Sequence, residues 1–199
     1  MTAAAAAAAA AWALLVAASP RWFFLAAAPL CAVWITISAR AAPPGLGQRL
    51  HPRTGDLGIG ITLAAVLYAG SRVVLGLGCG GLTDALCTPL ASMFARFETR
   101  ALPAALVLAL LVAPAEELFW RGLVQERLVA RLGPWRGVAL ATATATAVSL
   151  ATGEPFLALA TAPTYAAWGV VAVWRRSLVA PIVSHAAWTL LVAVFAPPR

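Results

Sequence analysis

Lysine is absent from this 199-residue sequence, and charged residues of any kind are scarce, at 11% of the chain. Soluble globular domains carry roughly 25% charged residues, so this shortage excludes an ordinary soluble domain. Apolar residues make up 62% of the chain instead. The composition therefore predicts an integral membrane protein. We expect an all-α fold, because a helix satisfies its own backbone hydrogen bonds in hydrocarbon.

Long stretches without charge define the predicted membrane spans. A spanning helix needs about 20 mainly apolar residues, and a chain of this length favours one domain. We predict a polytopic helix bundle of about seven spans, forming a single integral membrane domain, residues 1–199. The segments are 2–20, 22–39, 57–76, 101–115 continuing into the residues that follow, 137–153, 155–174 and 178–196.

The first of these segments, residues 2–20, consists mostly of alanine, which is only marginally apolar in a membrane. It is either a span or a helix on the membrane surface. No charged residue precedes Arg21, whereas a cleaved signal peptide carries a cationic residue before its apolar core. We therefore expect this segment to remain uncleaved.

All 14 cationic side chains are arginines, and the formal net charge is +7. They occur one to three at a time between apolar runs rather than along one helix face, so we predict no nucleic-acid partner. The positive-inside rule, by which arginines collect in cytoplasmic loops, accounts for the positions of the arginines better. Residues 1–56 would then hold the first two spans and a basic cytoplasmic loop. Three groups are assigned to the cytoplasm: Arg40, Arg49 and Arg53; Arg127, Arg131 and Arg136; Arg175 and Arg176.

Cysteine and histidine are also rare, with three and two residues. Cys79 and Cys87 fall in a predicted external segment, where an oxidising compartment would let them pair, although they also suit unpaired small residues in a re-entrant piece. Cys31 lies within a predicted span, where we expect it to pack. A catalytic zinc ion needs three protein ligands, so we predict no metal and no cofactor.

The stretch APAEELFWRGLVQERL, residues 113–128, places two adjacent glutamates and an arginine directly after an apolar run. On a helix Glu117 and Arg121 have the spacing of an ion pair. Glu116 points about 100° away from Glu117 and has no local partner. A charge deep in a bilayer is costly and usually functional, and a carboxylate shielded from bulk water is a usable general base. The alternative is a solvated helix end.

One of the two histidines lies inside a predicted span. His185 occurs in LVAPIVSHAAWTLLVAVF, and the rise of a helix places it roughly 10 Å deep, a level similar to that of Glu116. Two ionisable groups at matching depth favour a shared hydrolytic site, whereas a structural histidine bonded to a carbonyl is the alternative. The other histidine, His51, lies in an arginine-rich loop, and we expect it to be exposed.

Two motifs resemble those of the CPBP family. EELFWR, residues 116–121, matches the family's EExxxR, and GVVAVWRRSLVAPIVSHAAWTLL, residues 169–191, is similar to its terminal region with HxxxN. The family contains type II CAAX prenyl proteases and bacteriocin-processing proteins, which are glutamate-dependent intramembrane endopeptidases. The resemblance implies a catalytic core over residues 101–196 and a multi-pass protein of a bacterial inner membrane. It also implies a membrane-embedded or lipidated peptide substrate.

The resemblance also assigns roles to individual residues. By it Glu116 activates water, Glu117 and Arg121 order the motif helix, and His185 helps to bind the oxyanion. Two positions depart from the family pattern: Thr152 stands where FxxxH has its histidine, and Thr189 where HxxxN has its asparagine. Threonine can donate a hydrogen bond, but it cannot relay a proton near neutral pH as histidine can.

Three functions follow from these observations. The first is an intramembrane endopeptidase. Within this function, a protein-sorting protease resembling the myxosortases is one candidate. The second is a pseudoprotease that keeps the bundle and binds a membrane partner without cutting it, an alternative supported by Thr152 and Thr189. The third is a proton-relaying transporter component, which the absence of a duplicated half disfavours.

Overall fold

The structure, a computed structural model, describes residues 3–17, 20–79 and 102–192. Every element in this part of the chain is helical, which confirms the all-α prediction. The helices before the glutamate motif are α1 (Ala3–Ala17), α2 (Pro20–Ala41), the short α3 (Leu46–Arg49) and α4 (Asp56–Cys79). The helices after it are α6 (Pro134–Leu150), α7 (Pro155–Arg175) and α8 (Val179–Leu190).

The glutamate motif lies on α5, a continuous helix in which ordinary α-helical turns alternate with wider π-helical ones. Its consecutive parts are Leu102–Val107, the π-helical Leu108–Val112, Ala113–Glu117, the π-helical Leu118–Gln125, and Glu126–Leu132. Pro114 does not break it, since Val112 and Ala113 keep right-handed helical dihedrals. Proline lacks an amide hydrogen, and the wide turn before it accommodates that loss. Wide turns of this kind are frequent at functional sites.

Helix α5 occupies the centre of the bundle and packs against α2, α6, α7 and α8. Its aromatic residue Phe119 is fully buried and stacks on Trp34 of α2, with ring centroids 4.7 Å apart. Cys31 of α2 is also fully buried in an apolar cluster, which confirms that it packs. Helix α1 packs on α2, and α4 packs on α8. Both glutamates are therefore surrounded by protein rather than placed at a free helix end.

The three arginine groups meet at one end of the bundle, as the topology predicted. Arg49 forms an ion pair of 2.6 Å with Glu126, which joins the loop after α2 to the end of α5. Arg175 pairs with the buried Asp56 at 3.0 Å, and Ser177 donates to the same carboxylate at 2.7 Å. These contacts tie the α7–α8 turn to the start of α4. The assignment of this end to the cytoplasm stays a prediction.

Each of the seven predicted spans overlaps a helix. Fewer than seven of these helices, however, are long enough to cross a membrane. Two helical stretches, Asp56–Val74 and Pro155–Arg175, are long and apolar enough to cross a membrane. Among the described residues the apolar helices Ala3–Ala17, Ala26–Ala41 and Val179–Leu190 are shorter. The count of seven spans is therefore not confirmed. Cys87, one half of the predicted disulfide, lies outside the described residues.

A close approach between α4 and α8 gives a first testable prediction. A Cβ atom on Gly60 would lie 2.8 Å from the Ala180 carbonyl oxygen and 2.8 Å from Cβ of Val183, whereas a Cβ on Gly58 would meet nothing within 4 Å. Gly60→Ala must push the two helices apart, so we expect the free energy of unfolding to fall by about 1–3 kcal/mol. Gly58→Ala is the matched control and should be neutral or stabilising. Unfolding in mixed detergent micelles measures both, and equal effects would contradict the packing.

Candidate active site

Glu116, Glu117 and Arg121 lie within two turns at the middle of α5. All three are buried, with 6%, 0% and 1% of their surfaces exposed. The Arg121 guanidinium donates to Oε1 of Glu117 at 3.1 Å, which confirms the ion pair expected from their spacing. Burial on this scale is compatible with charge only when each group has a partner. The remaining acid, Glu116, therefore needs a partner from another helix.

His185 on α8 provides that partner. Its Nε2 lies 3.4 Å from Oε2 of Glu116, and its Nδ1 lies 2.9 Å from Oε1 of Glu117. The imidazole thus bridges the two carboxylates, and the predicted meeting of Glu116 and His185 is confirmed. Since both ring nitrogens face carboxylates, neither is directed at a third group in this arrangement.

Charge balance explains why these four groups are buried together. The positive guanidinium of Arg121 balances one of the two carboxylates, so the cluster has a net charge of minus one when the imidazole is neutral. A single proton shared by Glu116 and His185 makes the cluster neutral, which limits the cost of burying it. Oε2 of Glu117 is buried and has no hydrogen-bond partner among the described residues. The cluster therefore joins the ion pair of Glu117 and Arg121 to Glu116 through the imidazole of His185.

Helix α7 contributes side chains to the site that the sequence analysis missed. Trp168 stacks on the His185 ring, with centroids 4.1 Å apart and planes inclined by 19°, and its indole donates to Oγ of Ser184 at 2.9 Å. Tyr165 lies one turn earlier, and its ring meets His185 edge-on at 6.5 Å. Aromatic residues at helical spacing usually belong to a core, so their pattern alone did not separate them from packing residues.

The Arg121 side chain is fixed from several sides. Its Cζ atom lies 4.0 Å above the centre of the Tyr165 ring, a cation–π contact. Its guanidinium also donates to the Tyr165 carbonyl oxygen at 3.2 Å. One turn further along α5, Gln125 donates to the carbonyl oxygen of Gly169 at 3.1 Å. These bonds hold α5 against α7 at the level of the glutamates.

The glycine at position 169 is required by this close approach. A Cβ atom there would lie 2.6 Å from Oε1 of Gln125 and 3.1 Å from a methyl group of Val138. A narrow crevice remains between α5, α6 and α7, and it is lined by Trp120, Arg121, Gln125, Ala141, Thr142 and Tyr165.

The remaining predicted residues lie elsewhere. The Thr152 hydroxyl donates to the Ser149 carbonyl oxygen at 2.6 Å and accepts from the Glu154 amide at 3.3 Å, within the turn that ends α6. Tyr165 follows the start of α7 by ten residues, a rise of roughly 15 Å, so the structure does not bring Thr152 into the site. Thr189 lies one turn beyond His185 on α8. His51 is exposed, as expected.

One further polar group near the site has no partner. The indole nitrogen of Trp188, three residues after His185, is buried and makes no hydrogen bond within the described part of the chain. Residues 3–17, 20–79 and 102–192 contain no cluster of three or more histidine, cysteine or acidic side chains placed to hold a metal ion. The groups in mutual contact at the site are two carboxylates, an imidazole and a guanidinium.

The comparison with known families identifies the segment that builds this site. Residues 98–191 match the family model described as Type II CAAX prenyl endopeptidase Rce1-like. Neither the curated proteins nor the solved structures gave a match. The match contains Glu116, Glu117, Arg121 and His185, the four groups in mutual contact. Residues 98–191 are thus similar to the Rce1-like type II CAAX prenyl endopeptidases, which confirms the resemblance to the CPBP family that the two motifs indicated.

Proposed function

We propose that this protein is an intramembrane endopeptidase that hydrolyses a peptide bond with Glu116 as the general base. One observation carries the proposal: in the segment matched to a protease family, a buried carboxylate lies 3.4 Å from a ring nitrogen of a buried histidine on another helix. A general base must be held in place and shielded from bulk water to act efficiently. Glu116 meets both requirements.

The reaction needs a water molecule beside Glu116. Its oxygen attacks the carbonyl carbon of the scissile bond while its proton moves to the carboxylate. The proton then passes to the departing nitrogen as the carbon–nitrogen bond breaks. His185 holds Glu116 in position through Nε2, and Glu117 fixes the imidazole through Nδ1. Arg121 orients Glu117 through its own ion pair.

The substrate we propose is a membrane-embedded or lipidated protein cut near the cytoplasmic face of a bacterial inner membrane. The matching family is described as a type II CAAX prenyl endopeptidase, and the basic end of the bundle fits the cytoplasmic side. The glutamates lie near the middle of α5, on the same helix as Glu126 at its basic end. A peptide segment anchored by a lipid chain would present its backbone at that level.

Purified protein in liposomes tests this function directly. The probe is a fluorescence-quenched CAAX peptide in a farnesylated form and in an unmodified form. We expect hydrolysis of the farnesylated peptide and slower hydrolysis of the unmodified one, because the lipid chain concentrates the substrate in the bilayer. Mass spectrometry of the products identifies the bond that is cut. If the Glu116→Gln protein hydrolyses the peptide as fast as the wild type, the activity comes from a contaminating protease, and the assay gives no support for the proposed function.

The pseudoprotease has one specific observation in its favour. Thr152 stands at a family motif position, yet its hydroxyl is bonded within its own turn. A pseudoprotease predicts saturable binding of the farnesylated peptide with no hydrolysis, unchanged by Glu116→Gln. A peptidase predicts hydrolysis that requires Glu116. The same liposome assay therefore separates the two functions.

A further inference from the structure

We propose that the basic end of the bundle binds the phosphate headgroups of anionic phospholipids. The surface consists of three exposed arginines and two exposed tryptophans: Arg131, Arg136, Arg176, Trp135 and Trp174. Three observations carry the proposal, namely arginine charges that the protein does not neutralise, exposed indole rings beside them, and an apolar surface that adjoins them. The proposal does not depend on the peptidase function.

The first two arginines lie where α5 meets α6. Arg131 is in the last turn of α5, and Arg136 is in the first turn of α6. The two helices approach so closely that a Cβ atom on Gly137 would lie 2.6 Å from Cα of Val129. Arg131 and Arg136 are therefore held on one small part of the surface.

The third arginine is joined to the same end of the bundle through the loop after α2. Arg176 follows the last residue of α7. Two residues later, the amide of Leu178 donates to the carbonyl oxygen of Arg49 at 2.8 Å. The Arg49 guanidinium in turn pairs with Glu126 of α5 at 2.6 Å. The turn that carries Arg176 thus lies at the same end as the α5–α6 turn.

The carboxylates at this end are already paired with other arginines. Among the described residues these carboxylates are Glu126, which pairs with Arg49, and Asp56, which pairs with Arg175 at 3.0 Å. The side chains of the three exposed arginines make no hydrogen bond or ion pair within residues 3–17, 20–79 and 102–192. Their charges therefore remain available to an external anion. A guanidinium matches the geometry of a phosphate well.

The two tryptophans indicate where this surface lies relative to a bilayer. Trp135 precedes Arg136, and Trp174 lies two residues before Arg176; each indole-bearing residue is 65% exposed. Tryptophan is highly buried on average in soluble proteins. At a membrane boundary its ring lies at the level of the headgroups, with the N–H group toward the polar side. The arginines beside these rings are thus placed to meet lipid phosphates.

The apolar surface of α4 distinguishes a lipid from an acidic protein as the partner. Helix α4 begins at Asp56, which Arg175 ties to the basic end. Leu57, Ile61 and Val66, the next large apolar residues on its open side, are each more than half exposed. A phospholipid covers both features, because its phosphate meets the arginines while its acyl chains lie along α4. An acidic soluble protein would leave the tryptophans and α4 uncovered.

Native mass spectrometry of the purified protein tests the proposal. The protein is released from non-ionic micelles that contain either phosphatidylglycerol or phosphatidylcholine, and the bound lipids give apparent dissociation constants. We expect phosphatidylglycerol to bind more tightly than phosphatidylcholine. Each arginine near an anionic headgroup contributes about two- to fivefold in affinity. Replacing Arg131, Arg136 and Arg176 together by glutamine should therefore weaken phosphatidylglycerol binding about ten- to a hundredfold and leave phosphatidylcholine binding unchanged.

An arginine elsewhere on α4 provides the matched control. Arg72 is also exposed, but it lies roughly 24 Å along the helix from Asp56, so Arg72→Gln should bind phosphatidylglycerol with the wild-type affinity. The single substitution Arg136→Gln should weaken this binding about two- to fivefold, and it replaces the triple variant if that protein does not fold. Thermal unfolding in lipid-free micelles verifies the fold of each protein.

Several results contradict the proposal. Phosphatidylglycerol that binds the triple variant as tightly as the wild type removes the arginines from any headgroup site. A loss with Arg72→Gln as large as that with Arg136→Gln shows a general effect of net charge. If inorganic phosphate without lipid raises the unfolding temperature as much as phosphatidylglycerol does, the surface binds the free anion. If polyglutamate peptide displaces phosphatidylglycerol from the wild type, the surface is one for an acidic protein.

Discussion

Replacing Glu116 by glutamine is expected to lower the rate of peptide hydrolysis by about 10²–10⁴-fold, the usual contribution of a general base. Glutamine has nearly the same shape as glutamate, and its amide cannot accept a proton from water. The side chain is 8% exposed and faces Nε2 of His185 at 3.4 Å, so the substitution changes charge and basicity without opening a cavity. Single-turnover hydrolysis of the farnesylated peptide in liposomes measures the loss.

A second glutamate on the same helix gives the matched control. Glu126 lies at the basic end of α5, where it pairs with Arg49 and keeps 33% of its side chain exposed. Glu126 has no contact with the cluster of Glu116, Glu117, Arg121 and His185, so Glu126→Gln should hydrolyse the peptide at the wild-type rate. A Glu116→Gln protein that is as active as Glu126→Gln would exclude Glu116 as the base. Binding without hydrolysis by all three proteins would instead indicate the pseudoprotease.

The carboxylates and the histidine were predictable because charge is rare in this chain. In a sequence with 11% charged residues, an acid within an apolar run stands out from its surroundings. Its partner can be found by comparing depths along neighbouring helices. The contact between Glu116 and His185 follows from these two facts. Their meeting required no knowledge of how the helices pack.

The contribution of α7 could not be predicted in the same way. Tyr165 and Trp168 occur in the apolar stretch TAPTYAAWGVV, where aromatic residues fit a packed core as well as a site. Only the rotation of α7 about its axis decides which way they face, and that rotation depends on packing with α5 and α6. Gly169 sets it, since a side chain there would collide with Gln125. A glycine in the middle of a span has several explanations, so its role became visible only in the structure.

The wide turns of α5 were equally hidden from the sequence. Pro114 lies within the motif helix, and a proline inside a helix usually causes a bend or a break. The π-helical turns Leu108–Val112 and Leu118–Gln125 instead absorb the proline and shift the register of the side chains that follow. The contact between Glu117 and Arg121 survives because their separation stays within reach. Local spacing therefore predicted the pair, while the backbone geometry around it depends on the tertiary structure.

The second large effect is expected for Arg121, whose replacement by methionine should lower the free energy of unfolding by about 3–5 kcal/mol. Arg121 is 1% exposed and is the only guanidinium that contacts Glu117 among the described residues. Its loss leaves Glu117 buried with His185 alone, and it removes the cation from the face of Tyr165. Methionine fills a similar volume, so the loss reflects charge more than a cavity. Unfolding in mixed detergent micelles measures it.

Two comparisons decide whether the ion pair is the cause. Arg131→Met removes an exposed arginine from the same helix and should change the unfolding free energy by less than about 0.5 kcal/mol. Glu117→Gln combined with Arg121→Met removes both charges and leaves an amide that can still accept a hydrogen bond from His185. The double variant should therefore be more stable than Arg121→Met alone, since an unpaired buried charge costs more than an absent pair. If the double variant is the less stable of the two, the interaction with Tyr165 and α7, rather than the charge of Glu117, is what Arg121 contributes.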